Sequence, residues 1–143
     1  MTRAGPMVRV LLVEPHAVLR GTVAAVVREL DVVEVYAVAS VAAARRTLAE
    51  LRPDVLVLSL DEGEAAFTLL EALRRGGDSR GAETAVAVTA TACDAPTASR
   101  LRALDVRRLL LKPFKVRTVL ETVSGLCATA LRARADDEAA EPA

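Results

Sequence analysis

The fold is predicted most directly by the stretch PDVLVLSL at residues 53–60, in which a run of Val and Leu follows Pro-Asp. A short run rich in β-branched and aliphatic residues is typical of a strand that is buried on both faces of a parallel sheet. Ser59 is the one polar residue in this run and stands near its carboxyl end. We therefore expect a central strand with a hydroxyl group at its tip.

Similar apolar segments recur along the chain and alternate with segments of helical spacing. The predicted strands are Val8–Val13, Val33–Val38, Val55–Leu60, Thr84–Thr89 and Arg107–Leu111. Such β-α alternation predicts a parallel sheet with helices on both faces and right-handed crossovers. Five strands fit an α/β, doubly wound, flavodoxin-like architecture with the strand order 2-1-3-4-5.

The helical segments carry recognisable start and stop signals. Ser40 is expected to cap the second helix, Gly76-Gly77 to end the third, and Pro96 to lie in the first turn of the fourth. The fifth helix has the clearest apolar stripe, which begins at Val116, and no periodicity continues after Leu131. The predicted organisation is a tail at 1–7, one domain at 8–131, and an acidic flexible tail or linker start at 132–143.

Composition excludes several classes of protein. The 19 basic and 19 acidic residues cancel, and only 2% of residues are aromatic, which gives no support for binding of nucleic acid by this domain. No apolar run approaches the ~20 residues of a membrane span, and the first residues lack a signal-peptide core, so we expect a cytoplasmic protein. Cys93 and Cys127 are expected to be free, buried thiols. No cofactor or metal is predicted, and the lone His16 has no ligand partners nearby.

Four motifs in order along the chain resemble the response-regulator receiver domain of bacterial two-component signalling. They are VLLVE at 10–14, PD at 53–54, VTA at 88–90 and LKPF at 111–114. The resemblance covers about residues 8–131 and implies the CheY-like form of the flavodoxin-like fold. It also implies that Glu14 is the first of an acidic pair, that Thr89 is the switch hydroxyl, and that Lys112 contacts phosphoryl oxygens, with a Lys112–Pro113 bond that is commonly cis.

The same comparison shows what this chain has lost. Ser59 stands where receivers have the phosphoacceptor aspartate, Pro15 replaces the second acid, and Leu109 replaces the aromatic switch residue. The loop at 61–64, Asp-Glu-Gly-Glu, is also shorter than usual. A receiver needs a carboxylate nucleophile and an oxygen-rich Mg²⁺ site. We therefore expect a pseudo-receiver without catalysis, whose degenerate phosphorylation pocket consists of Glu14, Pro15, Ser59, Thr89 and Lys112.

Without a phosphoryl group, Lys112 needs another partner. We expect a standing, partly exposed ion pair with Glu14, with the Ser59 and Thr89 hydroxyls at its polar rim. Asp61 has two interpretations. It is a displaced phosphoacceptor on the same face as Ser59, or a loop residue attracted by a helix N-terminus.

Three functions remain open. The first is a phosphorylation-independent protein-interaction module, either a homodimer or bound to another signalling protein through helix 4, strand 5 and helix 5. The candidate face is Arg100, Arg102, Asp105, Arg107, Arg108, Leu109, Arg117 and Glu121. The second is small-ligand sensing at the vacated pocket. The third is the receiver part of a transcription regulator whose DNA-binding domain lies outside these 143 residues. The sequence leaves open the partner, the pathway, the oligomeric state and the resting conformation.

Overall fold

The computed structural model describes residues 7–75 and 83–140. Strands and helices alternate through this part of the chain. The strands are β1 Val8–Val13, β2 Val33–Val38, β3 Val55–Ser59, β4 Ala85–Ala90 and β5 Arg108–Leu111. The helices are α1 Ala17–Val27, α2 Val41–Glu50, α3 Glu64–Arg75, α4 Ala95–Ala103 and α5 Val116–Ala140.

The strands form one parallel sheet in the order β2-β1-β3-β4-β5. The predicted α/β, doubly wound, flavodoxin-like architecture is therefore confirmed. Val10 lies opposite Val55 and Ser59 lies opposite Thr89, which places β3 at the centre of the sheet. Because all strands are parallel, their carboxyl ends meet along one edge.

The core consists of two apolar layers, one on each face of the sheet. Val55 and Val57 of β3 point into the layer covered by α1 and α5, whereas Leu56 and Leu58 point into the layer covered by α2, α3 and α4. All residues of β3 are buried, Ser59 included. This two-sided burial explains why β3 is a nearly continuous apolar run and not an alternating one.

The helix starts follow the predicted capping chemistry. The Ser40 hydroxyl accepts a hydrogen bond from the Ala43 backbone N–H at 3.0 Å, and Pro96 lies in the first turn of α4. His16, to which the sequence assigned no role, caps α1 by accepting from the Leu19 N–H through Nδ1 at 3.3 Å. The predicted stop at Gly76-Gly77 lies outside the described residues.

The last helix differs from expectation. Residues 132–140 are helical, whereas the sequence predicted a flexible tail from residue 132. Ala and Arg are strong helix formers, so the helix continues after its apolar stripe has ended. Arg134 also forms an ion pair with Asp54, whose carboxylate accepts a hydrogen bond from the Arg9 N–H at 2.8 Å. Residues 141–143, and residues 1–6 of the predicted N-terminal tail, lie outside the described part.

The helices in residues 7–75 and 83–140 are too short or too polar for any of them to cross a membrane.

Candidate functional site

The candidate site lies at the carboxyl edge of the sheet, where this architecture places its ligands. Glu14 follows β1, and Ser59 is the last residue of β3. Thr89 is the next-to-last residue of β4, and Lys112 follows β5. Backbone hydrogen bonds align these strand ends, with the Lys112 N–H 2.7 Å from the Ala90 carbonyl oxygen. The fold thus brings the predicted site residues to one edge, with the exposed Pro15 directly after Glu14.

The Lys112 ammonium is the centre of this site. Its Nζ atom lies 2.8 Å from Glu14 Oε1, 3.0 Å from Asp61 Oδ2 and 3.4 Å from Ser59 Oγ. An ammonium group has three protons, so it can donate to all three oxygens at once. The predicted Glu14–Lys112 ion pair is confirmed. Asp61 is a second anionic partner of Lys112, a role that neither interpretation of this residue included.

Glu14 is far more buried than expected. Its side chain is only 3% exposed, against 13% for Lys112 and 37% for Asp61, so the expectation of a partly exposed pair was wrong for Glu14. The second carboxylate oxygen, Oε2, accepts a hydrogen bond from the His16 N–H at 2.9 Å. A buried carboxylate must be paired and hydrogen-bonded, and these two contacts meet that need.

The electrostatics of Lys112 follow from this geometry. Burial by itself lowers the pKa of the Lys112 ammonium, but hydrogen bonds and charge from Glu14 and Asp61 outweigh it and raise the pKa above its ordinary value. The side chain is therefore charged at neutral pH, and two carboxylates compensate that charge inside the protein.

The Ser59 hydroxyl forms a hydrogen bond with the local backbone. Ser59 is only 2% exposed, and its Oγ accepts a hydrogen bond from the Asp61 N–H at 3.1 Å, which shapes the turn after β3. Both neighbouring carboxylates, Glu14 and Asp61, contact Lys112. Ser59 thus serves as a hydrogen-bonding residue at the tip of the strand.

Thr89 does not join the polar rim, so that part of the expectation was wrong. Its Oγ1 is buried and has no hydrogen-bond partner in residues 7–75 and 83–140. Thr89 instead lines a cavity of about 10 Å³ together with Glu14, Leu110 and Phe114. This volume is close to the minimum that one water molecule occupies.

The acidic loop after β3 contacts three different neighbours. Asp61 binds Lys112, Glu62 Oε2 accepts a hydrogen bond from the Val41 N–H at 2.7 Å, and Glu64 pairs with Arg100. Gly63 has a φ of +65°, a left-handed conformation that favours glycine. Sequence reasoning missed these roles, and the one available signal was three acids placed around a glycine.

Several residues of the predicted interaction face are engaged in contacts within the protein. Arg100 of α4 lies 2.9 Å from Glu64 Oε2 and 3.1 Å from Glu71 Oε2, with its guanidinium 4.1 Å from the centre of the Phe67 ring. Arg107 pairs with Asp105 at 3.4 Å. Leu109 is half-buried against the core. The remaining exposed members of the face are Arg102, Arg108, Arg117 and Glu121.

The donor set at the sheet edge does not fit Mg²⁺, which prefers several free carboxylate and water oxygens. Both carboxylates, Glu14 and Asp61, are engaged by the Lys112 ammonium, and Pro15 supplies no side-chain oxygen. In the described ranges, no group of three or more His, Cys, Asp or Glu side chains could hold a metal ion.

No family model and no curated protein matches the sequence. Solved structures do match. The chemotaxis response regulator CheY4 of Vibrio cholerae superimposes with a TM-score of 0.73 at 22% identity, covering 84% of this chain and 98% of that one. The signal receiver domain of a putative Luxo repressor protein from Vibrio parahaemolyticus gives a TM-score of 0.79 at 18% identity, covering 95% and 99%. The chain has the receiver-domain fold.

A third match is part of a longer protein. NtrX from Brucella abortus, solved in complex with ADP, gives a TM-score of 0.76 at 16% identity, covering 92% of this chain and 29% of that one.

The Lys112–Pro113 peptide bond is cis, in line with the resemblance seen in the sequence.

Proposed function

We propose that this chain is a receiver-type module of bacterial signal transduction that acts through protein contacts and without phosphorylation. The observation that carries the proposal is the state of Lys112, whose ammonium is bound by Glu14, Asp61 and Ser59. The receiver-domain fold and the serine at the tip of β3 support the same function.

The site disfavours phosphoryl transfer on chemical grounds. An acyl phosphate needs a carboxylate nucleophile, whereas Ser59 offers a buried hydroxyl, and both carboxylates beside it are engaged by the Lys112 ammonium. An incoming phosphoryl group would also meet the two carboxylates of Glu14 and Asp61 beside the Lys112 ammonium that contacts them both. Its negative charge would be repelled unless one of these contacts broke.

The same contacts suit a module with a single resting state. Glu14, Asp61 and Lys112 lie at the ends of β1, β3 and β5, so one ammonium group links three strand ends without a bound group. A receiver held in this way would present its surface constantly, and its regulation would come from the presence of a partner.

The proposed partner surface is the α4-β5-α5 face, with its exposed residues Arg102, Arg108, Arg117 and Glu121. A mixed but mainly basic rim around the half-buried Leu109 suits a specific, moderately polar interface. A homodimer and a different signalling protein are the two proposed occupants. Mass measured as a function of concentration separates them, because only a homodimer changes mass in the pure protein.

Phosphorylation chemistry provides the direct test. We expect no covalent adduct by intact-mass analysis after incubation with acetyl phosphate and Mg²⁺, and no binding of beryllium fluoride. An ordinary receiver domain treated in parallel should form the phosphate adduct and bind beryllium fluoride. An acid-stable or acid-labile phosphate on this chain would contradict the proposal. The variant Asp61→Asn is the matched control, since loss of a labile adduct in this variant would identify Asp61 as the acceptor.

Small-ligand sensing has less support from the geometry, because Glu14, Asp61 and Ser59 already occupy the Lys112 ammonium that would bind an anionic ligand. Attachment of this module to a DNA-binding domain in a longer regulator is compatible with the proposed function, and the cytoplasm is the compartment that both require.

A further inference from the structure

Helix α4 has little apolar attachment to the rest of the molecule. Leu101 is its only buried residue, and the helix is nine residues long. An amphipathic helix of a globular domain usually covers the core with an apolar stripe of several residues. Other interactions must therefore hold α4 in place.

Arg100 supplies those interactions at the outer side of the helix. Its guanidinium contacts the Glu64 and Glu71 carboxylates, both on α3, and covers the Phe67 ring between them. The two carboxylates raise the pKa of Arg100, and the hydrogen bond from Arg100 lowers the pKa of Glu64, so the pair is charged throughout the neutral range. A planar guanidinium can make these contacts together, which a lysine ammonium cannot.

A second arginine holds the carboxyl end of α4. Arg74 of α3 donates from Nε to the Leu104 carbonyl oxygen at 2.8 Å and from its terminal nitrogens to the Asp105 and Thr84 carbonyl oxygens at 3.1 and 2.7 Å. The Leu104 and Asp105 carbonyl groups lie at the carboxyl end of α4, where they lack partners within the helix, whereas Thr84 directly precedes β4. Both attachments of α4 thus lead to α3.

The Asp61–Glu64 loop connects this clamp to the site at Lys112. Asp61 at one end of the loop binds Lys112 at 3.0 Å, and Glu64 at the other end binds Arg100. Between them, Glu62 holds the start of α2. The path from the buried ion pair to α4 therefore runs along four residues of backbone, 61–64, with a charged contact at each end.

We propose that Glu64 and Arg100 are positioning residues that set the placement of α4, and that the Asp61–Glu64 loop couples this placement to the Lys112 site. The inference rests on the proposed function only in that α4 belongs to the proposed partner face. Arg100 is then an internal clamp, and the partner would meet the other basic residues of that face.

Hydrogen–deuterium exchange of the α4 backbone amides tests the clamp. In Arg100→Gln and in Glu64→Gln, amides of residues 98–104 should exchange about tenfold faster than in the unmodified protein, because local opening of α4 becomes easier. The double variant should exchange no faster than Arg100→Gln alone, since both changes remove the same contact. Added salt at 1 M should accelerate α4 in the unmodified protein and have less effect in these variants.

Two variants serve as matched controls. Arg102→Gln removes an exposed charge from the same helix, and Glu121→Gln removes an exposed carboxylate from α5. Both should leave α4 exchange within about twofold of the unmodified protein, as surface changes away from special contacts usually do. If Arg100→Gln and Glu64→Gln behave like these controls, the clamp is overturned.

The coupling to Lys112 has its own test. Asp61→Asn should accelerate α4 exchange by about two- to threefold, whereas Glu34→Gln, which alters a carboxylate paired with Arg9 elsewhere on the surface, should not. Equal α4 rates in Asp61→Asn and in the unmodified protein would overturn the coupling. These exchange measurements involve neither phosphate nor partner, so they are independent of the test of the proposed function. A phosphorylated protein with an intact clamp would contradict only the proposed function. A protein without an adduct and without a clamp would contradict only the clamp.

Discussion

Helices α4 and α5 flank the same edge strand, β5, on opposite faces of the sheet, but they are attached by different forces. Helix α5 buries Val119, Val123, Leu126 and Cys127 in the core, whereas α4 buries only Leu101 and is held by arginine contacts. Apolar burial is non-directional and is not weakened by electrostatic screening. Charged contacts at a surface are directional and are weakened by salt. The comparison indicates that α5 belongs to the stable part of the fold and α4 to the part that can change.

This difference suits a module that signals by contact. Elements that move in regulation come from the less stable parts of a structure. A helix held by a few polar contacts can shift when a partner binds its exposed residues, while the sheet and α5 remain in place. The predictions below test this difference between apolar and polar attachment.

The largest effect is expected on the apolar side. Leu126→Ala should lower the free energy of unfolding by about 2–5 kcal/mol, because it removes buried methyl groups and leaves a cavity under α5. Urea denaturation measures this change. Val116→Ala, at a half-exposed position on the same helix, should cost less than about 1 kcal/mol. Equal losses in both variants would mean that α5 is not anchored by its buried face.

An intermediate effect is expected at Lys112. Lys112→Met keeps the apolar stem but leaves the buried Glu14 without its cation, which should cost about 1–3 kcal/mol while the protein stays folded. Lys115→Met, an exposed lysine in the same turn, should be close to neutral. Global unfolding of Lys112→Met at neutral pH would show that the ion pair supports the whole fold, which the proposal excludes.

The pH dependence of that contribution has a definite sign. Because the folded pKa of Lys112 is raised above the ordinary value of 10.5, its stabilising contribution is fully present below pH 10.5 and is lost as pH rises through the folded pKa. The unmodified protein should therefore lose its advantage over Lys112→Met above that pH. A constant difference between the two proteins across this range would contradict the assignment.

The smallest effect is a difference in reactivity between two thiols, one on α5 and one just before α4. Burial, with a smaller effect from the charge of Asp54, raises the pKa of Cys127 on α5 to about 11, whereas Cys93 precedes α4 and is only half-buried. Iodoacetamide at pH 8 should modify Cys93 at least about tenfold faster, because thiolate and access are both needed. Mass spectrometry of the protein and of Cys93→Ser measures the two rates. Equal rates in the folded protein would place both thiols in similar surroundings.

Local sequence patterns predicted the elements well. Val8–Val13 and Val33–Val38 form strands with the predicted ends, and Ser40 caps α2 as expected, because periodicity and capping depend on residues close in sequence. The end of α5 was missed because helix propensity continues after the apolar stripe. The capping role of Ser40 and the order of the strands could both be inferred without coordinates.

The contacts of the site were predictable only in part. The Glu14–Lys112 pair was inferred from a shared sheet edge, although the two residues are 98 positions apart. The partners of Asp61 and Arg100 were missed, and Thr89 was placed wrongly at the polar rim. Side-chain direction in a loop or at a helix surface depends on neighbours that the local sequence does not specify.

The amino-acid sequence by itself determined the alternation of strands and helices, the buried central strand and the absence of a carboxylate at its tip. These follow from hydrophobic spacing and from residue identity. Only the tertiary structure decided that one ammonium group binds two carboxylates and a hydroxyl, and that α4 is held by arginines. Such contacts depend on distances of about 3 Å between atoms far apart in the chain, which only the packed fold defines.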